Sequence, residues 1–124
     1  MSGAVKRSSR VSERLREELS TMLRGLDDPR VLGALVTRVE MPDDLQSAKV
    51  FVRRGLGAGD ERERRDLVKG LTAASGKLRR EAGHALGLRY SPQLRFFYDD
   101  AQEAVSRVEE LLQEIKKDGS GEPG

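Results

Sequence analysis

Apolar and polar positions along this chain follow two different periods. Over residues 10–23, RVSERLREELSTML, the apolar positions Val11, Leu15, Leu19, Met22 and Leu23 recur at helical spacing. That spacing predicts a helix with one apolar stripe, capped by Ser8 or Ser9. Leu26-Asp27-Asp28-Pro29 stops it, because proline disfavours helical backbone in the residue before it. From residue 32 the period changes to two. Leu35, Thr37, Val39 and Met41 alternate with Val36, Arg38 and Glu40, which predicts a strand. Pro42-Asp43-Asp44 turns the chain. Residues 45–54, LQSAKVFVRR, read as a second strand, apolar on both faces at Val50, Phe51 and Val52. An antiparallel hairpin is the natural product.

Residues 55–60, GLGAGD, form a flexible loop by composition. Helical spacing then returns at Leu67, Leu71, Ala74, Leu78, Ala82 and Ala85, and Gly87 closes the pattern as a C-terminal glycine. Tyr90-Ser91-Pro92 breaks the chain again. QLRFFYD, residues 93–99, is a third strand with Leu94, Phe96 and Tyr98 on one face. Asp99 or Asp100 caps a last helix with the stripe Val105, Val108, Leu112 and Ile115. The resulting order is α-β-β-α-α-β-α. Three strands with helices on one face make a two-layer α+β domain, and the helical crossover before the third strand makes the sheet mixed. One domain over residues 8–117 fits a 124-residue chain. A flexible basic arm, residues 1–7, precedes it, and a disordered tail, residues 118–124, follows.

Charge sharpens this picture. Charged residues make up 35% of the chain and the net charge is +2, but the distribution is uneven. Residues 71–98 carry Lys77, Arg79, Arg80, Arg89 and Arg95 against Glu81 alone, whereas residues 99–118 carry seven acids against three bases. A basic face of this kind is either a solvated surface or a site for an anion, most often nucleic acid. The chain has no cysteine, which removes disulfides, thiolate metal sites and cysteine nucleophiles. It has neither an apolar run long enough for a membrane span nor a secretory leader pattern.

Little else points to catalysis. The acid pairs Asp27-Asp28, Asp43-Asp44 and Asp99-Asp100 each sit at an element boundary, where turn and cap roles account for them. His84 is the single histidine and has no serine or cysteine motif near it. No phosphate-loop pattern is present. Phe96, Phe97 and Tyr98 are able to stack bases, but strand core is the simpler role for at least two of them.

The informative stretch is Ala74-Ser75-Gly76, in the middle of the best helical pattern. Glycine there costs roughly 1 kcal/mol relative to alanine. At about 100° per residue, Gly76 projects away from the apolar stripe, toward Lys69, Arg79 and Arg80. Bare backbone ringed by cations admits a phosphate chain, and a kink frees N–H groups of the following helix for an anion. A plain kink without a ligand fits the same residues equally well.

Several segments, in order, resemble bacterial ribosome-binding factor A: RVSERLREELSTML, LDDPRVLGALVTRVEMPDDLQSAKVFV, ASGKLRREAG with LRYSPQLRFFYDD, and RVEELLQEI. The resemblance implies a type II KH-like fold, in which an Ala-x-Gly kink replaces the nucleic-acid-gripping GXXG loop of KH domains; Ala74-Ser75-Gly76 stands where that kink belongs. It further implies a cytoplasmic, non-enzymatic bacterial protein, monomeric when free and without cofactor or metal. Such a protein binds the small (30S) ribosomal subunit, assists late maturation and 16S rRNA processing, and supports growth in the cold. The implied rRNA-binding residues are Lys77, Arg79 and Arg80 beside the kink and Lys6, Arg7 and Arg10 at the first helix; Arg89 joins them on charge alone. The alternative is a general KH-like regulator that binds single-stranded RNA.

Overall fold

The structure is a computed structural model and describes residues 6–55, 60–100 and 111–115. Helix α1 spans Arg7–Arg24, strand β1 Ala34–Glu40, strand β2 Ser47–Arg54, helix α2 Glu61–Ala73, helix α3 Ser75–Ala85 and strand β3 Gln93–Tyr98. A short 3₁₀ turn, Pro29–Val31, joins α1 to β1. Residues 111–115 are again helical, which completes the expected α-β-β-α-α-β-α order of a type II KH-like domain. The expected stripe residues Val105 and Val108 lie outside the described residues.

The sheet has the order β1-β2-β3. β1 and β2 pair antiparallel, and β2 and β3 pair parallel, so the sheet is mixed. Alternation along the strands explains the layering. Ala48, Val50 and Val52 of β2 and Leu94 and Phe96 of β3 are buried beneath the helices. Their neighbours Lys49, Arg95 and Phe97 point to solvent on the opposite face. Leu15 and Leu19 of α1, Leu67 and Leu71 of α2, and Leu78 of α3 close the core with essentially no exposed surface. Each such leucine contributes about 1.5–3 kcal/mol of burial.

Two local expectations are corrected. First, α1 begins at Arg7, the last residue assigned to the arm, and neither serine caps it. Ser8 is buried instead, and its hydroxyl donates to Asp43 in the β1–β2 turn at 2.9 Å; Ser12 donates back to the Ser8 carbonyl. Two serines therefore extend the inward face where the apolar stripe runs out. Second, simple alternation in β1 fails. The register shifts between Val36 and Arg38, and this bulge lets Val36 and Val39 both face the core although they are three apart. The helix break falls at Ala74, within the expected Ala74-Ser75-Gly76 kink, with α2 ending at Ala73 and α3 starting at Ser75.

Gly87 closes α3 as expected. With φ of 64° it adopts the left-handed conformation. Its N–H donates to the His84 carbonyl, and the Leu88 N–H to that of Gly83, a Schellman arrangement that turns the chain toward β3. Gly83 permits the return. A Cβ built there would stand 2.6 Å from the Ser91 hydroxyl and 3.1 Å from the Ser91 Cα. Gly70 plays a similar part in α2, where a Cβ would meet Val31 Cγ1 at 2.8 Å. Two glycines are thus contact surfaces, one against each connecting segment.

Candidate nucleic-acid interface

At Ala74 the backbone stays in the helical region, with φ −89° and ψ −1°, but the hydrogen-bond ladder is broken. The Ala74 N–H donates to the carbonyls of Gly70 and Leu71, and the Leu78 N–H donates to that of Ala74. Beyond the break lie the N–H groups of Ser75, Gly76 and Lys77. They are the first-turn donors of α3, and they carry the partial positive charge of a helix start.

Ser75 and Gly76 border a groove of about 540 Å³ between the break and β3. Its walls are Thr72, Ser75, Gly76 and Arg79 on the helices and Gln93 to Phe97 on the strand. β3 is an edge strand, so one side of its backbone is not engaged by the sheet. Arg79 and Arg95 supply two cations to the walls. A Cβ at Gly76 would approach only the Arg80 guanidinium, at 3.5 Å, so the glycine opens toward solvent and cations, as the helical projection places it. The groove offers an anion the start of a helix, two guanidinium groups and an unobstructed backbone at Gly76.

Of the candidate residues, Ser75, Gly76 and Arg79 come together at this groove, and Ala74 forms the break above it. Lys77 and Arg80 are exposed on α3 beside it. The Arg79 guanidinium also donates to the Ser91 carbonyl at 2.9 Å. Arg89 lies in the loop after α3, its guanidinium 5.5 Å from the Tyr90 ring centre. Lys6, Arg7 and Arg10 fall elsewhere. Helix α1 lies over β1, the edge opposite β3, and its start is tied to the β1–β2 turn through Ser8 and Asp43. Sequence reasoning missed Arg95, Gln93 and Phe97 as groove residues. Their alternation with Leu94, Phe96 and Tyr98 was readable; that β3 takes the outer edge, next to the break, was not.

The acid pairs have structural partners. Asp28 receives the Arg30 N–H at 2.9 Å and its guanidinium at 2.8 Å, and that charged hydrogen bond holds the Asp28 carboxyl below the usual range. Asp44 accepts from the Gln46 N–H at 3.0 Å. Asp99 accepts from the Thr37 hydroxyl on β1. His84 is exposed on α3. Among the described residues no group of acids and histidines is arranged to hold a metal ion, and no helix is long and apolar enough to cross a membrane.

A family model for ribosome-binding factor A matches residues 7–112. The chain belongs to the ribosome-binding factor A family. A family member from Sorangium cellulosum is 62% identical over 122 residues, covering 98% of each chain. The crystal structure of ribosome-binding factor A from Thermus thermophilus is similar in fold, with a TM-score of 0.64 at 21% identity over 73% of this chain and 94% of that one. A homology model of the Thermus thermophilus factor, fitted into the cryo-EM map of its complex with the 30S subunit, has a TM-score of 0.59 at 22% identity. It covers 72% of this chain and 91% of that one.

Proposed function

We propose that this protein is a non-catalytic assembly factor that attaches to the small ribosomal subunit and assists late maturation and processing of 16S rRNA. One observation carries the reading: the Ala74 break places the start of α3, bare backbone at Gly76 and Arg79 beside the open edge of β3. Nucleic-acid backbone is the ligand that matches such a groove. Phosphates bind N–H groups at a helix start and guanidinium groups, while the strand edge offers main-chain partners to bases. The relative fitted with the 30S subunit supplies the direction of the proposal.

In this mechanism the protein performs no chemistry. Cations on α3 neutralise rRNA phosphates and release counterions, so attachment weakens with salt. Lys77 and Arg80 draw the strand in, Arg79 and Arg95 line its path, and Gly76 lets the backbone approach. Lys6, Arg7 and Arg10 form a second contact on the β1 side. Co-sedimentation with immature and mature small subunits across a salt series tests the proposal. Preferential, salt-sensitive retention on immature subunits is expected. Equal or tighter binding to naked oligonucleotides would instead favour a general single-stranded-RNA regulator.

A further inference from the structure

The sheet face turned away from the helices is ordered in rows. Arg38, Phe51 and Phe97 are direct cross-strand partners across β1, β2 and β3. The Arg38 guanidinium carbon lies 4.1 Å from the Phe51 ring centre, and the Phe51 and Phe97 rings stack at 5.6 Å with planes 30° apart. Glu40, Lys49 and Arg95 form the next row. Arg53 extends the face on the other side. Four cations thus stand against Glu40, which is paired with Arg38 at 3.1 Å, and against Asp99, which is bonded to Thr37.

A cross-strand aromatic pair stabilises a sheet wherever it occurs. This one has two further properties. Phe97, 39% exposed, is the outer member, braced from behind by Phe51 and Arg38. Phe97 and Arg95 also line the groove at the Ala74 break, so the groove and the open face meet at the β3 edge. Aromatic rings flanked by cations on a sheet are what single-stranded nucleic acid uses: bases stack on the rings and phosphates meet the charges.

We propose that the open sheet face is a base-stacking subsite. A single-stranded RNA segment leaving the groove crosses the β3 edge, stacks a base on the Phe97–Phe51 pair and lays its phosphates on Lys49 and Arg95. This rests on the reading of the groove as an rRNA site and extends it to a second face. The net positive charge of the face and its continuity with the groove select RNA as the occupant. The competing occupant is the chain's own acidic C-terminal segment, whose Leu111, Leu112 and Ile115 are exposed.

The test uses the full chain and immature small subunits. Phe97→Leu removes the ring, Phe97→Tyr restores it, and Lys49→Ala alters the open face without touching the groove. We expect Phe97→Leu to weaken binding about tenfold, in line with the loss of one stacked base, and Phe97→Tyr to bind like the parent. Lys49→Ala should lower the slope of log affinity against log salt by about one. Parent-like binding by both Phe97→Leu and Lys49→Ala overturns the proposal. So does weakening by Phe97→Leu alone with an unchanged Lys49→Ala salt slope, which confines Phe97 to the groove. Tighter binding by either variant also overturns it, because the face is then covered by the C-terminal segment. Gly76→Glu separates the two readings: retained binding there removes the groove site and leaves the open-face result to stand by itself.

Discussion

The Arg79 guanidinium donates to the Ser91 carbonyl oxygen at 2.9 Å, tying helix α3 to the loop that leads into β3. Arg79 is therefore both a wall of the groove and a strut that holds its two sides together. Lys77 and Arg80 are exposed cations on the same helix. The three should separate on mutation. Lys77→Ala and Arg80→Ala should weaken subunit binding and leave thermal unfolding within about 0.5 kcal/mol of the parent. Arg79→Ala should weaken binding and also cost about 1 kcal/mol, the net worth of one hydrogen bond. Equal unfolding curves for all three would show that the strut is not a stabilising contact.

The glycines of the helix pair make a second test. Gly70 and Gly83 have other chain segments within 3.1 Å of a built Cβ, whereas Gly76 has only a flexible guanidinium at 3.5 Å. Gly70→Ala and Gly83→Ala should destabilise by about 1–3 kcal/mol through overpacking. Gly76→Ala should change stability by at most about 1 kcal/mol. Chemical denaturation of the three variants decides it, and a large loss at Gly76 would make that position a packing glycine like the others.

Arg30 holds the Asp28 carboxyl below its usual range, which fixes the direction of a pH effect. A carboxylate with a depressed folded-state pKa stabilises fully above its unfolded value of about 3.9. That contribution disappears as pH falls through the lower folded value. Asp28→Asn should therefore be somewhat less stable than the parent at neutral pH. The two should converge as the pH falls below about 4. Because the pair is exposed, the neutral-pH gap should be small and reduced by salt. A gap that widens on acidification would contradict the assignment.

Catalysis is expected to be absent. Asp99 is bonded to Thr37 across the sheet, and His84 projects to solvent from α3. Asp99→Asn and His84→Ala should alter stability at most. Purified protein incubated with rRNA or nucleotides should leave both intact, and cleavage lost in either variant would refute the non-catalytic reading.

The strands and helices were legible because their apolar periods are clean. Leu67, Leu71 and Leu78 fall on one helical stripe, and Leu94 and Phe96 on one strand face. The break was legible from Ser75-Gly76, an expensive pair inside a good helix. The β1 bulge was not, since Val36 and Val39 each fit the alternation of a different register. Ser8 was misread as a cap because its partner, Asp43, lies 35 residues away and only the fold brings it near. At the site, the local sequence identified the kink and its cations. The participation of Arg95 and Phe97 depends on which edge of the sheet β3 occupies, a long-range fact that no local pattern encodes.

The central claim is that bare backbone at Gly76 admits rRNA into the groove. Its most direct test is co-sedimentation of Gly76→Ala and Gly76→Glu with immature small subunits, with thermal unfolding measured in parallel. Both variants should fold, since a Cβ at this position meets only a movable side chain. Gly76→Ala should remain bound close to the parent level, and Gly76→Glu should be lost from the subunit fraction through bulk and charge together. A folded Gly76→Glu that binds as well as the parent would contradict the account and leave the break as a structural kink alone.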